Sequence, residues 1–234
     1  MQVISGRAGI VFNRFAFLFL LAALFAGFAV SACAVPSPYT TGTWRYKMTV
    51  TVSTPEGDKV GSAVREVSVK NALMPGHSSG YPEVKGEAVV VDLGKRGALF
   101  AIMRGVRSGR DYGHQVVFDA FPSPTNQRLE YYSHLKAGPV ELPPDDWPVF
   151  VHFKDPKDPS TVEPVLETGW DSPRMGRFIL KADHTEEIYG KGVKIKSVSI
   201  EMTKEPITWN GDKYFPKYDD KFHFVQITDL KRGR

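Results

Sequence analysis

The sequence predicts a mainly β protein, an antiparallel β-sandwich or distorted barrel with one or two short helices. About nine segments have strand-like patterns, turns rich in Pro and Gly separate them, and no long amphipathic helix competes with them. The 234 residues are 42% hydrophobic and 24% charged, the composition of an ordinary folded chain. That composition excludes a disordered chain, a disulfide scaffold and a polytopic membrane protein.

The first hairpin is the clearest element. Apolar and polar residues alternate from 44 to 52, the period of a strand with one buried face. Residues 54–58 are turn formers, and residues 60–69 return as the second strand. The apolar phase of this return strand changes halfway along it. We therefore expect a β-bulge near Arg65 and Glu66.

The later elements are also mostly strands. Residues 84–93 and 98–103 are apolar runs joined by Gly94-Lys95-Arg96-Gly97, which predicts a second and more buried hairpin. Further strands are predicted at residues 115–121, 148–153, 193–202 and 222–228. Two short helices are predicted, one after Asp158-Pro159 and one at residues 184–189, where Gly190 provides a C-terminal stop.

An export signal precedes the domain. Residues 15–32 carry no charged side chain, and two arginines but no acidic residue precede them. The segment ends in Val30-Ser31-Ala32-Cys33, which resembles the bacterial lipoprotein signal. Cys33 is the only cysteine, so an exported domain would have no internal disulfide. The sequence predicts a lipoprotein signal peptide over residues 1–32 and lipidation of Cys33, with an uncleaved anchor and simple secretion as the alternatives.

A short tether joins the predicted lipid to the domain. Residues 33–42 are rich in Pro, Ser, Thr and Gly, and residues 43–234 are expected to form a single β-rich domain. The N-terminal lipid would hold the protein to a membrane of the cell envelope. In a Gram-negative host, Ala34 rather than Asp after the cysteine resembles cargo sorted to the outer membrane, where the domain would face the periplasm.

The charge of the mature chain gives no reason to expect a nucleic-acid partner. Removal of residues 1–32 takes away two arginines and leaves 28 basic against 26 acidic residues. Nucleic-acid binding needs a concentrated basic face, which a nearly balanced chain does not predict. The expected partners are the membrane, through the lipid, and a protein or glycan that the sequence does not identify.

One motif matches a hydrolase signature but lacks its context. Residues 76–80 read Gly-His-Ser-Ser-Gly, the G-x-S-x-G pattern in which Ser78 would be the nucleophile. A nucleophile elbow needs a strand before the serine and a helix after it, whereas Pro75 and Pro82 flank this motif. We therefore interpret the motif as a loop and predict no catalytic residue.

The spacing of histidines and acidic residues does not indicate a metal site. The six histidines, at positions 77, 114, 134, 152, 184 and 223, include no pair with the spacing of a helical metal motif. Acidic doublets at 145–146, 186–187 and 219–220 would point to opposite faces of a strand, so they do not form a catalytic pair. No metal and no cofactor are predicted.

Two surface features are candidate binding sites. Aromatic residues are densest between 209 and 224, where exposed rings would stack on sugars or peptides and buried rings would close the core. We predict that Trp209, Tyr214 and Tyr218 bind a ligand. Five cations fall within sixteen residues and would either contact anionic head groups or form a solvated loop: Lys95, Arg96, Arg104, Arg107 and Arg110.

Several segments resemble a family of uncharacterised proteobacterial envelope proteins and lipoproteins. They are Trp44-Arg-Tyr-Lys-Met-Thr-Val, Thr54-Pro-Glu-Gly, Gly86-Glu-Ala-Val-Val-Val-Asp-Leu-Gly, Ala98-Leu-Phe-Ala and Asp155-Pro-Lys-Asp-Pro-Ser-Thr-Val. The resemblance covers most of the mature chain and implies an envelope location. These motifs are strand and turn signatures, and no activity is attached to the family, so the resemblance implies no catalytic residue.

The sequence predicts a lipid-anchored cell-envelope protein with a non-catalytic binding or scaffolding domain. Two alternatives stay open, a subunit of an envelope or surface assembly and an envelope hydrolase. Exposed aromatic residues near the C-terminus would favour binding, and an uncovered edge strand would favour assembly. A cleft that joins His77 or His114 to carboxylates would favour an enzyme.

Overall fold

Twelve strands form two main antiparallel sheets and one small hairpin in the residues that the structure describes. This computed structural model describes residues 39–72, 80–125, 128–170, 178–218 and 225–233. The strands are β1 (Tyr39–Ser53), β2 (Lys59–Ala72), β3 (Gly80–Glu87), β4 (Val89–Asp92), β5 (Ala98–Gly105), β6 (Val140–Glu141), β7 (Pro148–Phe153), β8 (Val162–Pro164), β9 (Leu166–Trp170), β10 (Phe178–Asp183), β11 (Lys194–Thr203) and β12 (Lys231–Arg232).

The sheets are arranged as a sandwich, as the alternating sequence pattern predicts. The first sheet has the order β12-β3-β2-β1-β11-β6, the second has the order β4-β5-β7-β8, and β9 pairs with β10. Close approach of the two main sheets depends on a glycine in β2. A Cβ on Gly61 would lie 2.2 Å from the backbone oxygen of Val90 in β4, so a larger residue would push the sheets apart.

The first hairpin is confirmed, and it is longer than predicted. β1 pairs with β2 from Tyr39 to Val52 without interruption. Residues 39–42, which we predicted to be the end of the tether, therefore belong to the first strand. The prediction that the domain starts at Thr43 is wrong at this boundary, because the backbone hydrogen bonds of the sheet continue through these polar residues.

The predicted bulge at Arg65 and Glu66 is wrong. The β1–β2 register is continuous there, and Arg65 lies on the core face opposite Tyr46 with no exposed surface. Val64, on the other face, is also buried, and its backbone amide and carbonyl form hydrogen bonds with Thr208. The apolar phase changes in the sequence because a charged residue occupies a core position and an apolar one lies on the opposite face. A register shift does occur, but between β1 and β11 at Thr51 and Val52.

The second predicted hairpin is confirmed at residues 89–105, but its first strand begins later than expected. Residues before Ala88 belong to β3 of the first sheet, and residues after it belong to β4 of the second. The amide of Ala88 bonds to the carbonyl of Leu230 at this crossing point. β5 is buried on both faces, as the apolar run predicts: Leu99 and Ala101 enter one core cluster and Phe100 and Ile102 the other.

Four α-helices lie in the described residues: α1 (Tyr112–Ala120), α2 (Arg128–His134), α3 (Thr185–Tyr189) and α4 (Ile227–Leu230). The helix at 184–189 is confirmed by α3. Pro159–Thr161 forms one 3-10 turn, with the Asp158 carboxylate accepting from the Ser160 amide at 2.8 Å. The strands at 148–153 and 193–202 are confirmed by β7 and β11.

The strand prediction at residues 115–121 is wrong, and the one at 222–228 is wrong in the residues that the structure describes. Residues 115–121 lie mainly in α1, whose buried residues Tyr112, Gly113, Val116 and Val117 recur with helical spacing. The adjacent valines suggested a strand, but packing of this one face on the core decides the conformation. The predicted strand at 222–228 lies partly outside the described residues, and its described end is the start of α4.

The core has two parts, one on each face of the second sheet. The larger cluster lies between the main sheets and includes Tyr46, Met48 and Val50 of β1. The smaller one covers the opposite face of β5 and β7, where Val225 and Leu230 from the C-terminal segment complete it. The C-terminal segment is therefore a structural layer over the second sheet. No helix in the described part of the chain is long and apolar enough to span a membrane.

Candidate functional site

A cleft of about 400 Å³ opens beside the turn that joins β4 to β5. The turn, β7 and the segment after β11 form its walls. We call it the turn cleft, and its lining residues are Asp92, Gly94, Lys95, Arg96, Gly97, Ala98, Phe100, His152, Phe153, Lys154, Pro156, Lys213 and Tyr214. Its volume falls in the range of small-molecule sites, and four of its five charged side chains are cations.

Asp92 and Tyr214 join the two walls of the turn cleft. The Tyr214 hydroxyl donates to Oδ2 of Asp92 at 2.7 Å, and the Gly94 amide donates to Oδ1 at 2.8 Å. The Tyr214 hydrogen bond, followed by the one from Gly94, lowers the pKa of Asp92 from its ordinary value. An ionised Asp92 therefore holds the aromatic ring of Tyr214 at the edge of the hairpin turn.

The four cations of the turn cleft differ in how much of their charge is already neutralised. Arg96 bonds to the Glu56 carboxylate at 2.8 Å and to the Tyr189 carbonyl at 2.7 Å. Lys154 bonds to Glu163 at 2.8 Å. By contrast, no carboxylate among the described residues pairs with Lys95 or with Lys213. Those two exposed ammonium groups are the ones available to an anionic ligand.

Lys213 also contacts the aromatic wall of the turn cleft. Its Nζ lies 4.7 Å from the centroid of the Tyr214 ring, a cation–π contact. One face of this ring is therefore covered by the protein itself. Tyr214 contributes its hydroxyl to Asp92 and an apolar surface beside a positive charge, and it does not present two free faces for stacking.

His152 adds no positive charge to the turn cleft. Burial lowers its pKa from the ordinary value, more than its hydrogen bond with the Ala98 backbone raises it. Its ring packs edge-on against Tyr189 at a centroid distance of 5.3 Å, and its Nδ1 is buried without a hydrogen-bond partner among the described residues. The neutral imidazole acts as a packing residue between β7 and α3.

Glu87 holds the segment that carries Lys213 and Tyr214. Its carboxylate is buried and accepts hydrogen bonds from the backbone amides of Asn210 and Gly211, each at 3.0 Å. Gly211 begins a 3-10 turn that ends at Lys213, and the Tyr214 amide closes it on the Gly211 carbonyl at 2.8 Å. The buried Glu87 side chain at the end of β3 therefore positions one wall of the turn cleft.

Of the three predicted binding aromatics, the structure places only Tyr214 in the turn cleft. Tyr218 is half-buried and packs on the smaller core cluster, and burial is the main cause that raises its pKa. Trp209 is half-buried in the segment after β11 and does not line the turn cleft. Phe222 and Phe224, from the same aromatic stretch, lie outside the described residues. Binding by Trp209 and Tyr218 stays a prediction.

The run of five cations is divided between the two ends of β5. Lys95 and Arg96 line the turn cleft before the strand, whereas the others follow it. Arg104 pairs with the fully buried Asp229 at 3.2 Å, and Arg107 pairs with Asp146 at 2.5 Å. These pairs account for part of the cluster, and only its first two members contribute to the candidate site.

Sequence reasoning missed Lys154 and Lys213 as site residues. Each is an isolated lysine in the sequence, and they enter the turn cleft because β7 and the segment after β11 pack beside the hairpin turn. Tyr214 bonds to a residue 122 positions earlier in the chain, a contact that no local pattern indicates. The G-x-S-x-G motif and Ser78 lie outside the described residues.

A second group of titratable residues surrounds His184 at the start of α3. Its ring nitrogens lie 3.0 Å from Glu187 and 3.3 Å from Glu167, and the hydrogen bond with Glu187 is the largest cause that raises the pKa of His184. This arrangement joins the start of α3 to β9 through the His184 side chain. Within the described ranges, no group of three His, Cys, Asp or Glu side chains could hold a metal ion.

Comparisons with protein-family models, curated proteins and solved structures gave no match. Function is therefore inferred from the side chains of the clefts and from the N-terminal sequence.

Proposed function

We propose that this chain is a lipid-anchored cell-envelope protein whose β domain binds a ligand that carries a phosphate or carboxylate group. The observation that carries the binding proposal is the turn cleft, whose lining includes Lys95 and Lys213, two cations without an ion-pair partner among the described residues, and the Tyr214 ring that Lys213 contacts. The lipid anchor is supported by the export segment and by Cys33 at its end.

The chemistry of the turn cleft favours an anion over a neutral or cationic ligand. An anionic group between Lys95 and Lys213 would gain charge-assisted hydrogen bonds without displacing an existing ion pair. Asp92 is the one acidic residue of the lining; the Tyr214 hydroxyl and the Gly94 amide donate to its oxygens, and the four cations outnumber its charge. Phe100 and the Tyr214 ring supply the apolar surface on which the body of the ligand would pack.

Titration with glucose 6-phosphate and glucuronate tests this proposal. We expect both anions to bind the full chain in neutral detergent and uncharged glucose to bind at least tenfold more weakly, because the cleft cations recognise the anionic group. Lys95→Glu with Lys213→Glu should weaken anion binding at least tenfold, measured by isothermal titration calorimetry at low salt. The affinity should fall as salt is added, because both ammonium groups are exposed.

Lys70→Glu is the matched control for these charge reversals. Lys70 is also an exposed lysine. It lies on β2 eleven residues from Lys59, whose charge acts on Asp92 of the turn cleft, and this separation is roughly 36 Å at the rise of a strand. It should leave anion affinity within a factor of two. Equal binding of glucose and the anions, or an equal loss in the Lys70 variant, would contradict the proposed site.

Lipidation of Cys33 has its own test. Labelled palmitate should be incorporated into the wild-type chain in a bacterial host, and Cys33→Ser should lose the label, because this thiol is the acceptor and no second cysteine replaces it. Label that persists in Cys33→Ser would refute the lipoprotein assignment. In a Gram-negative host the wild-type protein should fractionate with the outer membrane, and recovery from the inner membrane alone would refute that location.

A further inference from the structure

A second and larger cleft lies where the first half of β1 meets the end of β11 and the end of α2. It has a volume of about 850 Å³ and shares no lining residue with the turn cleft. We call it the strand-end cleft. Its size lies in the upper part of the range for small-molecule sites, so it can hold a ligand larger than a sugar phosphate.

The deeper lining of the strand-end cleft is apolar. Trp44 and Tyr132 are buried, with their ring centroids 5.3 Å apart, and Leu135 and Met202 are half-buried beside them. All four belong to or pack against the larger core cluster, so this surface is fixed by the fold. An apolar ligand segment placed here would lose contact with water along the wall.

Cations surround the mouth of the strand-end cleft. Arg45 bonds to Glu66 at 2.7 Å, so its charge is largely neutralised. Lys136 and Lys204 are exposed at the mouth, and no described carboxylate forms an ion pair with either. The mouth therefore has two cations available for an anionic group, next to an apolar interior.

One polar group in the lining has no partner. The indole Nε1 of Trp44 is buried without a hydrogen-bond acceptor among the described residues, and the whole residue is only 4% exposed. A buried donor without an acceptor costs about 1–3 kcal/mol, so such groups need an explanation. The structure therefore leaves one hydrogen-bond donor unsatisfied beneath the apolar wall of the strand-end cleft.

We propose that the strand-end cleft binds a single-chain anionic lipid. The chain lies against Trp44, Tyr132 and Met202, and the head group is held by Lys136 and Lys204 at the mouth. This inference does not depend on the proposed function of the turn cleft, because the two clefts have different residues. A neutral lipid would leave the two cations unused, and a small hydrophilic anion would make no contact with the half-buried Leu135 and Met202.

Photolabelling with diazirine palmitate tests the proposal. The probe is added to the full chain in phosphatidylcholine nanodiscs, and adducts are mapped by mass spectrometry after irradiation. Adducts should concentrate on peptides that contain Tyr132, Leu135 or Met202. Lys136→Glu with Lys204→Glu should lower this labelling at least fivefold, because the palmitate carboxylate loses both cations and is repelled by the two glutamates that replace them.

Controls separate lipid binding in the cleft from general contact with the bilayer. Lys191→Glu with Lys194→Glu reverses two exposed lysines near the opposite end of β11, roughly 30 Å away, and should leave labelling unchanged.

Competition with unlabelled lipids identifies the head group. Excess palmitate or lysophosphatidate should suppress the labelling, and the stronger competitor shows whether the cleft prefers a carboxylate or a phosphate head group. Equal suppression by hexadecylamine, or adducts spread over the whole chain, would overturn the proposal. Glucose 6-phosphate should not compete, which keeps this test separate from that of the turn cleft.

Discussion

Val50→Asp should lower the free energy of unfolding by about 3–5 kcal/mol, a large part of the roughly 5–15 kcal/mol that stabilises an ordinary domain. Val50 has no exposed surface, and it lies in the larger core cluster between its strand partners Gly61 and Val198. A carboxylate at this position would be buried among apolar side chains, and the buried guanidinium of Arg65 on the same face already donates to backbone carbonyls. It would either remain charged at high cost or take up a proton and still lack hydrogen-bond partners.

Thr51→Asp is the matched control for Val50→Asp. It introduces the same side chain at the next position of β1, where Thr51 lies on the opposite face and is half-buried. We expect a loss below about 1 kcal/mol, because the carboxylate can reach water. Urea denaturation of the full chain, followed by far-UV dichroism, measures both changes. Equal losses would mean that the buried face of β1 has been assigned wrongly.

The alternating pattern of β1 shows what the sequence could predict about this fold. A strand with one buried face has a period of two, and residues 44–52 follow it throughout. The same reasoning failed at Arg65, because hydrophobicity gives no sign that a guanidinium can be buried. Its groups donate to the carbonyls of Glu87 and Ala101, which come from other strands and are invisible to local patterns.

The wrong prediction of a strand at residues 115–121 has a related cause. Val116 and Val117 favour a strand by propensity, and a short apolar run does not separate a strand from a buried helix. In the structure these valines pack beside Tyr112 and Gly113 on one helical face. Gly113 lets the helix approach β3, since a Cβ there would lie 2.9 Å from a methyl group of Val84. The tertiary contact decides the local conformation.

The candidate site was predictable only in part. Lys95, Arg96 and Tyr214 were singled out by local density of cations and of aromatic rings. Their meeting in one cleft depends on long-range contacts, chiefly the hydrogen bond from Tyr214 to Asp92. Both tyrosines pack on the smaller core cluster, but Tyr218 does not line the turn cleft. Local composition therefore indicated candidate binding residues, but only the tertiary structure shows which of them line the turn cleft.

The C-terminal segment, here the described residues after β11 (204–218 and 225–233), connects the stability of the fold to the turn cleft. It covers the outer face of the second sheet through Val225 and Leu230, and its earlier part carries Lys213 and Tyr214 into the cleft. If this segment detached from the second sheet, apolar surface would be exposed and one wall of the turn cleft would be lost at the same time. The attachment can be tested at the buried carboxylate of Glu87, which binds the backbone of this segment.

Glu87→Ala should lower the free energy of unfolding by about 3 kcal/mol and release the segment that carries Tyr214. Glu87 is 2% exposed, and its truncation leaves two amides without their acceptor, the buried amide of Gly211 and the partly buried amide of Asn210. Each unsatisfied buried amide costs about 1–3 kcal/mol. Glu87→Gln should lose about half as much, because its amide oxygen can still accept one of the two bonds.

Glu83→Ala separates this effect from the general loss of an acidic residue on β3. Glu83 is exposed and its nearest cation, Lys85, lies 3.8 Å away, so its removal should change stability by less than about 0.5 kcal/mol. Hydrogen exchange of the full chain gives the local readout. The amides of residues 209–218 should exchange at least tenfold faster in Glu87→Ala than in Glu83→Ala, because the 3-10 turn before Tyr214 loses its attachment. Unchanged exchange in these residues, together with unchanged stability, would show that Glu87 does not position this wall of the turn cleft.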